Sequence, residues 1–376
     1  MSVYKHHSVI PENSKPIYKE YDIVDFICSF PARKMLANTV RLSFTMRVGQ
    51  NGADLTDEDI KWNSYVGSHN LIEGITTETA LQGQLESIHS YPRQVAMVAG
   101  ATLDMNDLMN ASKSCELRAC DDEFSAIQLK GEKVKSWVDG DTTSQNNSVS
   151  LKPHFCLNRA TSADGSGDLG VSYSKTGNVR ISLQLNRIYD ALYGRDVNST
   201  TSYNIYNPRI EFLSVADDAK KNTIQFQVSN SIKQLVNSSL SNLGLKAPVV
   251  ATSCAVSFIE QARESKEEYD NTKCEQLPNV SRLDFNWNNT TNQGITYTIR
   301  DNVEIIARYL EALKSAGHNS ASLARISANK NWGIGINFGD EAIDLSKTIL
   351  NIQITSEVQS SLPYTAVFFF AGIISL

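Results

Sequence analysis

The sequence predicts an all-β protein built from two sandwich-like units, and three observations support that prediction. Short runs that alternate apolar and polar residues recur along the chain, with Gly, Asn and Pro turn signals between them. The strongest helical pattern is confined to 301–313. A polar break at 217–222 (DDAKKN) separates one set of strand-like runs from a second. Many short strands with few helices are typical of β-sandwiches and barrels.

The composition bounds the function. A chain of 376 residues can form one large or two ordinary domains, and its 41% hydrophobic residues can supply a packed core. The net charge of −6 argues against a surface that binds nucleic acid throughout. The first 15 residues lack the apolar segment of a secretory signal, so we expect synthesis in a reducing compartment with the cysteines as thiols. The apolar run 366–376 (AVFFFAGIISL) is too short to cross a bilayer and predicts a buried terminal strand.

The first half of the chain begins with an extended N-terminal arm at residues 1–20, because Pro11 and Pro16 disfavour a helix. Such an arm is long enough to lie on a neighbouring subunit, and the alternative is a frayed terminus. The next predicted elements are a half-buried strand at 40–48 with an Asn-Gly turn after it, strands over 71–88 broken near 82–83, helical turns over 95–109, and a polar outward-facing loop at 131–148.

The stretch 150–215 is the most informative. Val179–Leu185 alternates as a strand with one buried face. Residues 186–194 break the alternation, with a helical excursion that ends at Gly194, and 203–212 returns to strand patterning. Pro208 predicts a bulge or an edge position in that return strand.

The second half shows the same pattern of short strands and turns as the first, without a detectable sequence repeat. We expect a strand at 224–228, a short helix over 232–240 behind an Asn230 cap, a strand at 249–259, and the 301–313 helix with Asp301 at its start and Gly317 after its end. Val303, Ile306, Leu310 and Leu313 form the predicted buried face of that helix. Further strands are expected at 334–336, 350–354 and 364–376.

Several runs resemble a known family. The segments LKPHFCLNR (151–159), TGNVRISLQLNRIYDALYG (176–194) and YNIYNPRIEFLSV (203–215) are similar to the end of the first barrel in double jelly-roll major capsid proteins. Those proteins come from icosahedral DNA viruses of the lineage of tailless membrane-containing phages, adenovirus and virophages. The resemblance covers roughly residues 20–216 and is much vaguer over 217–376.

The resemblance implies two tandem eight-stranded jelly-roll barrels, the first at 21–217 and the second at 218–376, with the arm at 1–20 before them. It implies a structural major capsid protein, not an enzyme, that forms homotrimers of pseudo-hexagonal outline which tile an icosahedral shell. The implied partners are neighbouring capsomers, penton and minor capsid proteins, and an inner membrane or genome reached by the arm. The implied location is the virion.

Motifs that would carry chemistry are weak in this sequence, and we predict no catalytic, cofactor or metal residues. Gly165–Gly170 fits G-x-G-x-x-G but is followed by VSYSKTGN, so it predicts a hairpin loop instead of a dinucleotide site. The acid run 121–123 lacks flanking ligands and predicts a solvated loop. Gly333, Gly335 and Gly339 predict bulges or close packing.

The scattered histidines and cysteines also lack ligand spacing. No histidine has a helical i,i+4 partner, and His69 and His89 are interpreted as turn or edge residues. Cys115 and Cys120 have no nearby Cys or His pair that would complete a zinc site. The remaining members of these two groups are His6, His7, His154, His318, Cys28, Cys156, Cys254 and Cys274.

Two other functions remain open at this point. A minor capsid or penton protein would form a fivefold ring, although the chain length favours two barrels. A carbohydrate-binding β-sandwich would use a tryptophan platform drawn from Trp62, Trp137, Trp287 and Trp332.

Overall fold

The protein is described from a computed structural model. The described residues are 4–54, 60, 66–103, 148–163, 165, 167–192, 194, 196–218, 223–264, 272, 274–288, 293–299, 301–329, 332–339 and 342–376. The predicted outward loop (131–148, apart from its last residue), the acid run 121–123, Cys115 and Cys120, and the part of the predicted helical turns beyond Leu103 lie outside these residues.

Strands dominate the described residues. Numbered β1 to β21 in chain order, they are Lys5–Val9, Ile23–Cys28, Arg33–Leu36, Arg41–Gln50, Ala53–Asp54, Ile72–Thr79, Gly83–His89, Ser148–Leu151, Ala160–Ser162, Gly170–Ser172, Val179–Leu185, Thr201–Ala216, Ile224–Val236, Leu240–Leu245, Val250–Glu260, Arg282–Asn288, Gln293–Thr298, Ile334–Asn337, Ile343–Asp344, Leu350–Thr355 and Tyr364–Ser375. The helices α1 to α5 are Tyr91–Thr102, Tyr173–Thr176, Ile188–Ala191, Asn302–Ser315 and Leu323–Asn329, with 3₁₀ turns at Gly67–Leu71 and Cys156–Asn158. None of these helices is long and apolar enough to span a membrane.

The strands form two sandwiches, here called the first roll and the second roll. In the first roll, a seven-stranded sheet with the order β10-β3-β12-β4-β5, which also holds β1 and β8, packs on the strands β7-β6-β11-β2. In the second roll, β18-β15-β21-β13 packs on the four-stranded sheet β14-β20-β16-β17. Apolar residues alternate inward along these strands and form one continuous core through both rolls.

The two rolls share a sheet. Strands β7 and β13 lie side by side and parallel, with Ser87 opposite Asn230, which joins β7-β6-β11-β2 to β18-β15-β21-β13 in one ten-stranded sheet. Helix α1 follows β7 directly and is buried along almost its whole length. Its Gln94 reaches Ser229 on β13, and Tyr309 on α4 donates to the carbonyl of Met97, so the helices cover the outer face of the shared sheet.

Most predicted elements of the first roll are confirmed. Strand β4 ends in the Asn51-Gly52 turn, where both residues have the positive φ that a tight hairpin requires. Strands β6 and β7 are separated at 80–82, as expected. The register of β12 shifts between Tyr206 and Arg209, so Pro208 does lie in a bulge.

The excursion at 186–194 connects different sheets. Strand β11 pairs with β2 and β6, whereas β12 pairs with β3 and β4 in the facing sheet. The four-residue helix α3 therefore carries the chain across the end of the sandwich. The Tyr203 hydroxyl donates to the carbonyl of Asn186, which ties the start of the return strand to the end of β11.

The helix predicted over 232–240 is wrong. Residues 224–236 form one strand, β13, which pairs with β21 along its whole length from Gln225–Ser375 to Val236–Tyr364. Asn230 does not cap a helix; its side-chain oxygen accepts a hydrogen bond from the Ser87 amide at 3.2 Å. The long-range pairing with β21 satisfies more backbone groups than a one-turn helix, so tertiary context overrides the local pattern.

Helix α4 confirms the predicted boundaries and part of the predicted face. Asp301 accepts a hydrogen bond from the Glu304 amide at 3.0 Å, and Gly317 ends the helix with φ of 87°. Leu313 is buried as expected, and Ile306 and Leu310 are partly buried against the core. Val303, also expected in the core, is 69% exposed. The other side chains that the helix buries are Ile305, Tyr309 and Ala312.

The described part of the N-terminal segment packs on its own first roll. Residues 5–9 pair antiparallel with β12, from Lys5–Ser214 to Val9–Ile210. Tyr18 is 1% exposed and exchanges two backbone hydrogen bonds with Ile205. Contact of the segment with a neighbouring subunit remains a prediction.

Candidate functional site: the roll junction and the apolar edge

The junction between the rolls is held by side chains as well as by backbone pairing. The Ser87 amide donates to Asn230, and the His89 amide donates to the Ser231 hydroxyl at 2.6 Å. That hydroxyl donates in turn to the His89 carbonyl at 2.8 Å. Side chains of β13 thus form hydrogen bonds with backbone groups at the edge of β7, whereas in a regular ladder these groups would pair with the backbone of the next strand.

Glu86 lies at the centre of this junction with 0% of its surface exposed. Its carboxylate accepts from the amides of Cys156 at 2.6 Å and Ser229 at 2.7 Å, and from the Arg159 guanidinium at 2.6 Å. Arg159 also donates to the Ser229 hydroxyl at 2.9 Å. One carboxylate therefore joins the first roll, the 156–159 turn and the second roll.

Burial sets the electrostatics of this cluster. Loss of hydration raises the pKa of Glu86 above its ordinary value, and the Arg159 charge and the two amides oppose that rise. Burying a charge costs desolvation free energy, and the attraction of an opposite charge offsets part of that cost. If one partner is removed, the other stays buried without this offset. The cluster is therefore suited to fix the position of one roll against the other.

A second feature, the apolar edge, is a group of exposed apolar side chains on the outer face and margin of β2. Ile23 is 51% exposed and Ile27 is 38% exposed, on the face of β2 opposite the core. The Glu12 amide donates to the Asp25 carbonyl at 2.7 Å, and the Asp25 amide donates to the Asn13 side-chain oxygen at 3.1 Å, so the segment that follows Ile10 lies against β2. Ile10 and Tyr21 are each 63% exposed. Clustered exposed apolar groups of this kind are typical of interaction surfaces.

The G-x-G-x-x-G segment is a connection and has no helix to receive a phosphate. Gly165 and Gly167 have φ of 67° and 74°, and Gly170 starts the short strand β10. The prediction of a hairpin is wrong, since β9 pairs with β13 in the shared sheet and β10 pairs with β3 in the seven-stranded sheet. Asp168 in this loop instead binds Lys34 and caps the Gly170 amide.

Gly333 and Gly335 confirm the prediction of close packing, whereas Gly339 has nothing within 4 Å of where its Cβ would be. A Cβ on Gly333 would lie 1.7 Å from the Val256 carbonyl oxygen. A Cβ on Gly335 would lie 2.7 Å from the Cα of Tyr309 on α4. Strand β18 therefore needs glycine where β15 and α4 approach it.

The fold brings two of the histidines that are dispersed in the sequence, His69 and His154, together. His69 lies in the 3₁₀ turn, fully buried, with its Nδ1 2.7 Å from the Tyr91 hydroxyl. His154 stacks edge-on against it with ring centroids 5.5 Å apart. His89 packs by the roll junction near Ser87. Among the described residues, no group of three His, Cys, Asp or Glu side chains could hold a metal ion.

The described cysteines and tryptophans are packing residues. Cys28, Cys156, Cys254 and Cys274 are buried thiols that are not joined in disulfides. Burial raises the pKa of the Cys28 thiol to about 12, which keeps it protonated and unreactive. Trp332 is buried, and Trp287 packs edge-on against Phe338 at 5.8 Å. Trp62 and Trp137 lie outside the described residues, so the described chain does not form the tryptophan platform of the carbohydrate alternative.

Comparison with known proteins finds relatives by structure. No protein-family model matches the sequence, and no curated protein matches it. The major capsid protein of Faustovirus superposes with a TM-score of 0.61 at 8% identity, over 100% of this chain and 90% of that one. The mavirus major capsid protein gives 0.52 at 12% identity, over 98% and 88%. A chain from the Sputnik virophage gives 0.51 at 11% identity, over 99% and 86%.

This chain has the double jelly-roll fold. The likeness spans both rolls, including residues beyond 217 where the sequence resemblance fades. The expected fold class is therefore confirmed. The division at residue 217 remains a prediction; β12 ends at Ala216 and β13 begins at Ile224.

Sequence reasoning missed the roll junction. Glu86 lies in LQGQLESIHS, where its alternation with Leu85 reads as an ordinary solvent-facing position. Arg159 closes one of the runs that carry the resemblance, but nothing in that run indicates a carboxylate partner. The partners are 73 residues apart, and only the placement of β13 beside β7 buries them together.

Proposed function

We propose that this chain is the major capsid protein of an icosahedral virus. The observation that carries the proposal is the end-to-end match of both rolls, joined through one sheet, to viral major capsid proteins. The role is geometric. A rigid block with two similar rolls can occupy a lattice position, and it requires no reaction, cofactor or metal ion.

The proposed assembly unit is a homotrimer. Three chains with two rolls each present six similar units around one axis, which gives a pseudo-hexagonal outline that tiles a shell. A closed ring of identical contacts limits the oligomer to a fixed size, whereas a contact that does not close would give fibres. The Glu86–Arg159 cluster supports this role, because a fixed angle between the rolls is needed for every copy to present the same outline.

The apolar edge is our candidate for the contact between copies. It combines exposed isoleucines with the Asp25–Arg180 ion pair on the neighbouring strand, 3.1 Å between nitrogen and oxygen. Apolar residues are typical of the core of protein interfaces, and polar or charged residues are typical of their rim. A second copy is the proposed occupant, since a threefold ring requires one surface of each chain to contact a different surface of the next chain.

The remaining partners follow from the same proposal. Neighbouring capsomers and penton or minor capsid proteins would contact the outer surfaces of the trimer, and the finished protein would be located in the virion after synthesis in the host cytoplasm. The N-terminal segment at 1–20 is the proposed contact with an inner membrane or the genome.

Light scattering with negative-stain imaging tests the proposal. We expect a particle of three times the chain mass of 41.6 kDa with a hexagonal outline. Ile27→Asp should shift the protein toward a folded monomer with an unchanged far-ultraviolet circular dichroism spectrum, because Ile27 lies on the outer face; its denaturation midpoint should fall only by the contribution of trimer association. Leu362→Asp, a change at a 50% exposed leucine in the second roll, is the matched control and should leave the trimer intact. A stable monomer for the unaltered chain, or a pentamer, would refute the proposal.

A further inference from the structure

The outer face of the four-stranded sheet carries a groove that the proposed assembly does not use. Its volume is about 410 Å³, within the roughly 300–1,000 Å³ of typical small-ligand sites. Helices α1 and α4 pack against the other sheet of the second roll, so neither of these two helices covers this face. Leu283, Phe285 and Ile352 point from the same strands into the core.

Strand registers arrange the lining into two rows that cross all four strands. The first row follows β14, β20, β16 and β17 in the order Asn242, Gln353, Asp284 and Thr296. The second row follows the same strands in the order Gly244, Asn351, Asn286 and Gly294. At about 4.8 Å between strands, each row is about 14 Å long.

Glycines lie at both ends of the second row, and the two ends differ. Beside Gly294 the Asn286 side chain already occupies the space, with its oxygen 2.2 Å from where a Cβ would be. Beside Gly244 the nearest atoms are 3.6 Å from that position, an ordinary van der Waals distance, so a Cβ fits there. The Gly244 end of the row is therefore the open one.

The groove has no net charge. Asp284 is 4% exposed although it lies on the outer face, because Arg282 and Thr296 cover its carboxylate. Arg282 Nε lies 2.8 Å from one carboxylate oxygen, and the Thr296 hydroxyl donates to the other at 2.6 Å. Gln353 donates to Asn242 at 2.8 Å, which orients the amide at the other end of the row. The result is a pre-ordered polar surface.

We propose that this groove binds a neutral oligosaccharide. Side-chain amides each present two donors and an acceptor, the combination that pairs with adjacent sugar hydroxyls. An anionic ligand would find Arg282 already neutralised by Asp284. A protein partner would need the aromatic or aliphatic anchors that dominate protein interfaces, and the outward-facing residues in both rows are polar or glycine.

The binding should be weak for one chain and stronger for an assembly. The groove has no aromatic ring among its lining residues to stack on the sugar. Its hydrogen bonds to the sugar replace hydrogen bonds to water, so they add little to the free energy of binding. We therefore expect a Kd of about 1 mM. Many copies on one particle would raise the effective affinity, since each further contact becomes intramolecular.

Saturation-transfer NMR and titration calorimetry on the full chain test this proposal, with maltotetraose, cellotetraose and chitotetraose as neutral probes and 3′-sialyllactose as the anionic one. At least one neutral probe should bind. Gly244→Val should weaken that binding at least tenfold, because it fills the open end of the groove at a position without positive φ. Asn351→Ala should weaken it as well, through loss of an amide in the second row.

Thr298→Val is the matched control, since Thr298 is exposed on the same strand β17 but lies outside both rows. It should bind like the unaltered chain. Equal denaturation midpoints for all four proteins would show that the fold is retained. Absence of binding by every neutral probe at about 20 mM, well above a Kd of ~1 mM, would overturn the proposal. So would undiminished binding to Gly244→Val, or tighter binding of the sialylated probe.

Discussion

The buried Glu86–Arg159 pair gives the sharpest prediction about what holds the two rolls together. Glu86→Gln keeps the shape of the side chain but removes its charge, which leaves the guanidinium of Arg159 buried to 91% without a carboxylate. The new amide group would also face a backbone donor, either the Cys156 or the Ser229 amide. Removing one partner of a buried ion pair lowers the free energy of unfolding by about 3–5 kcal/mol. A buried backbone amide left without an acceptor accounts for about 1–3 kcal/mol of that loss. That is a large share of a total stability of about 5–15 kcal/mol.

Urea denaturation followed by tryptophan fluorescence measures the effect, as a lower midpoint for the variant. The matched control is Glu73→Gln, because Glu73 pairs with Lys233 at 3.0 Å across the same two rolls but both side chains are partly exposed. We expect that control to cost about 0–1 kcal/mol. Adding Arg159→Met to Glu86→Gln should recover part of the loss, since it removes the uncompensated charge. Equal midpoints for Glu86→Gln and Glu73→Gln would refute the argument.

Two further predictions concern the second roll. Burial lowers the pKa of His318 from 6.5 to about 3, so the folded state holds the neutral ring and its stability falls as pH drops from about 6.5 toward 3. His318→Gln should make that loss shallower when urea midpoints are compared at pH 7 and pH 4.5; an unchanged difference would contradict the assignment. Gly333→Ala should destabilise the fold by about 1–3 kcal/mol, because its Cβ would meet the Val256 carbonyl at 1.7 Å. Gly244→Ala, which meets nothing closer than 3.6 Å, is the control for thermal unfolding and should be neutral.

Local sequence patterns predicted those elements whose secondary structure, helix or strand, does not depend on their tertiary neighbours. The alternating apolar residues of 179–185 and of 40–48 require a strand with one buried face, whichever strands pair with it, and both segments are strands. The Asp301 cap and the Gly317 stop act within a few residues, so the ends of α4 could be predicted as well. The face of α4 could be predicted only in part, since it depends on the position of β15 and β18 against the helix.

The sequence by itself determined an all-β chain with two sets of strands, and its resemblance to one viral family pointed to the double jelly roll. Only the tertiary structure decided that residues 232–236 extend β13, that the N-terminal strand pairs with its own sheet, and that Glu86 meets Arg159 at the roll junction. The same holds for the groove, whose lining comes from four strands between Asn242 and Gln353. The physical reason is range: alternation, caps and turns act over a few residues, whereas strand pairing and burial join residues that the sequence separates by dozens or hundreds.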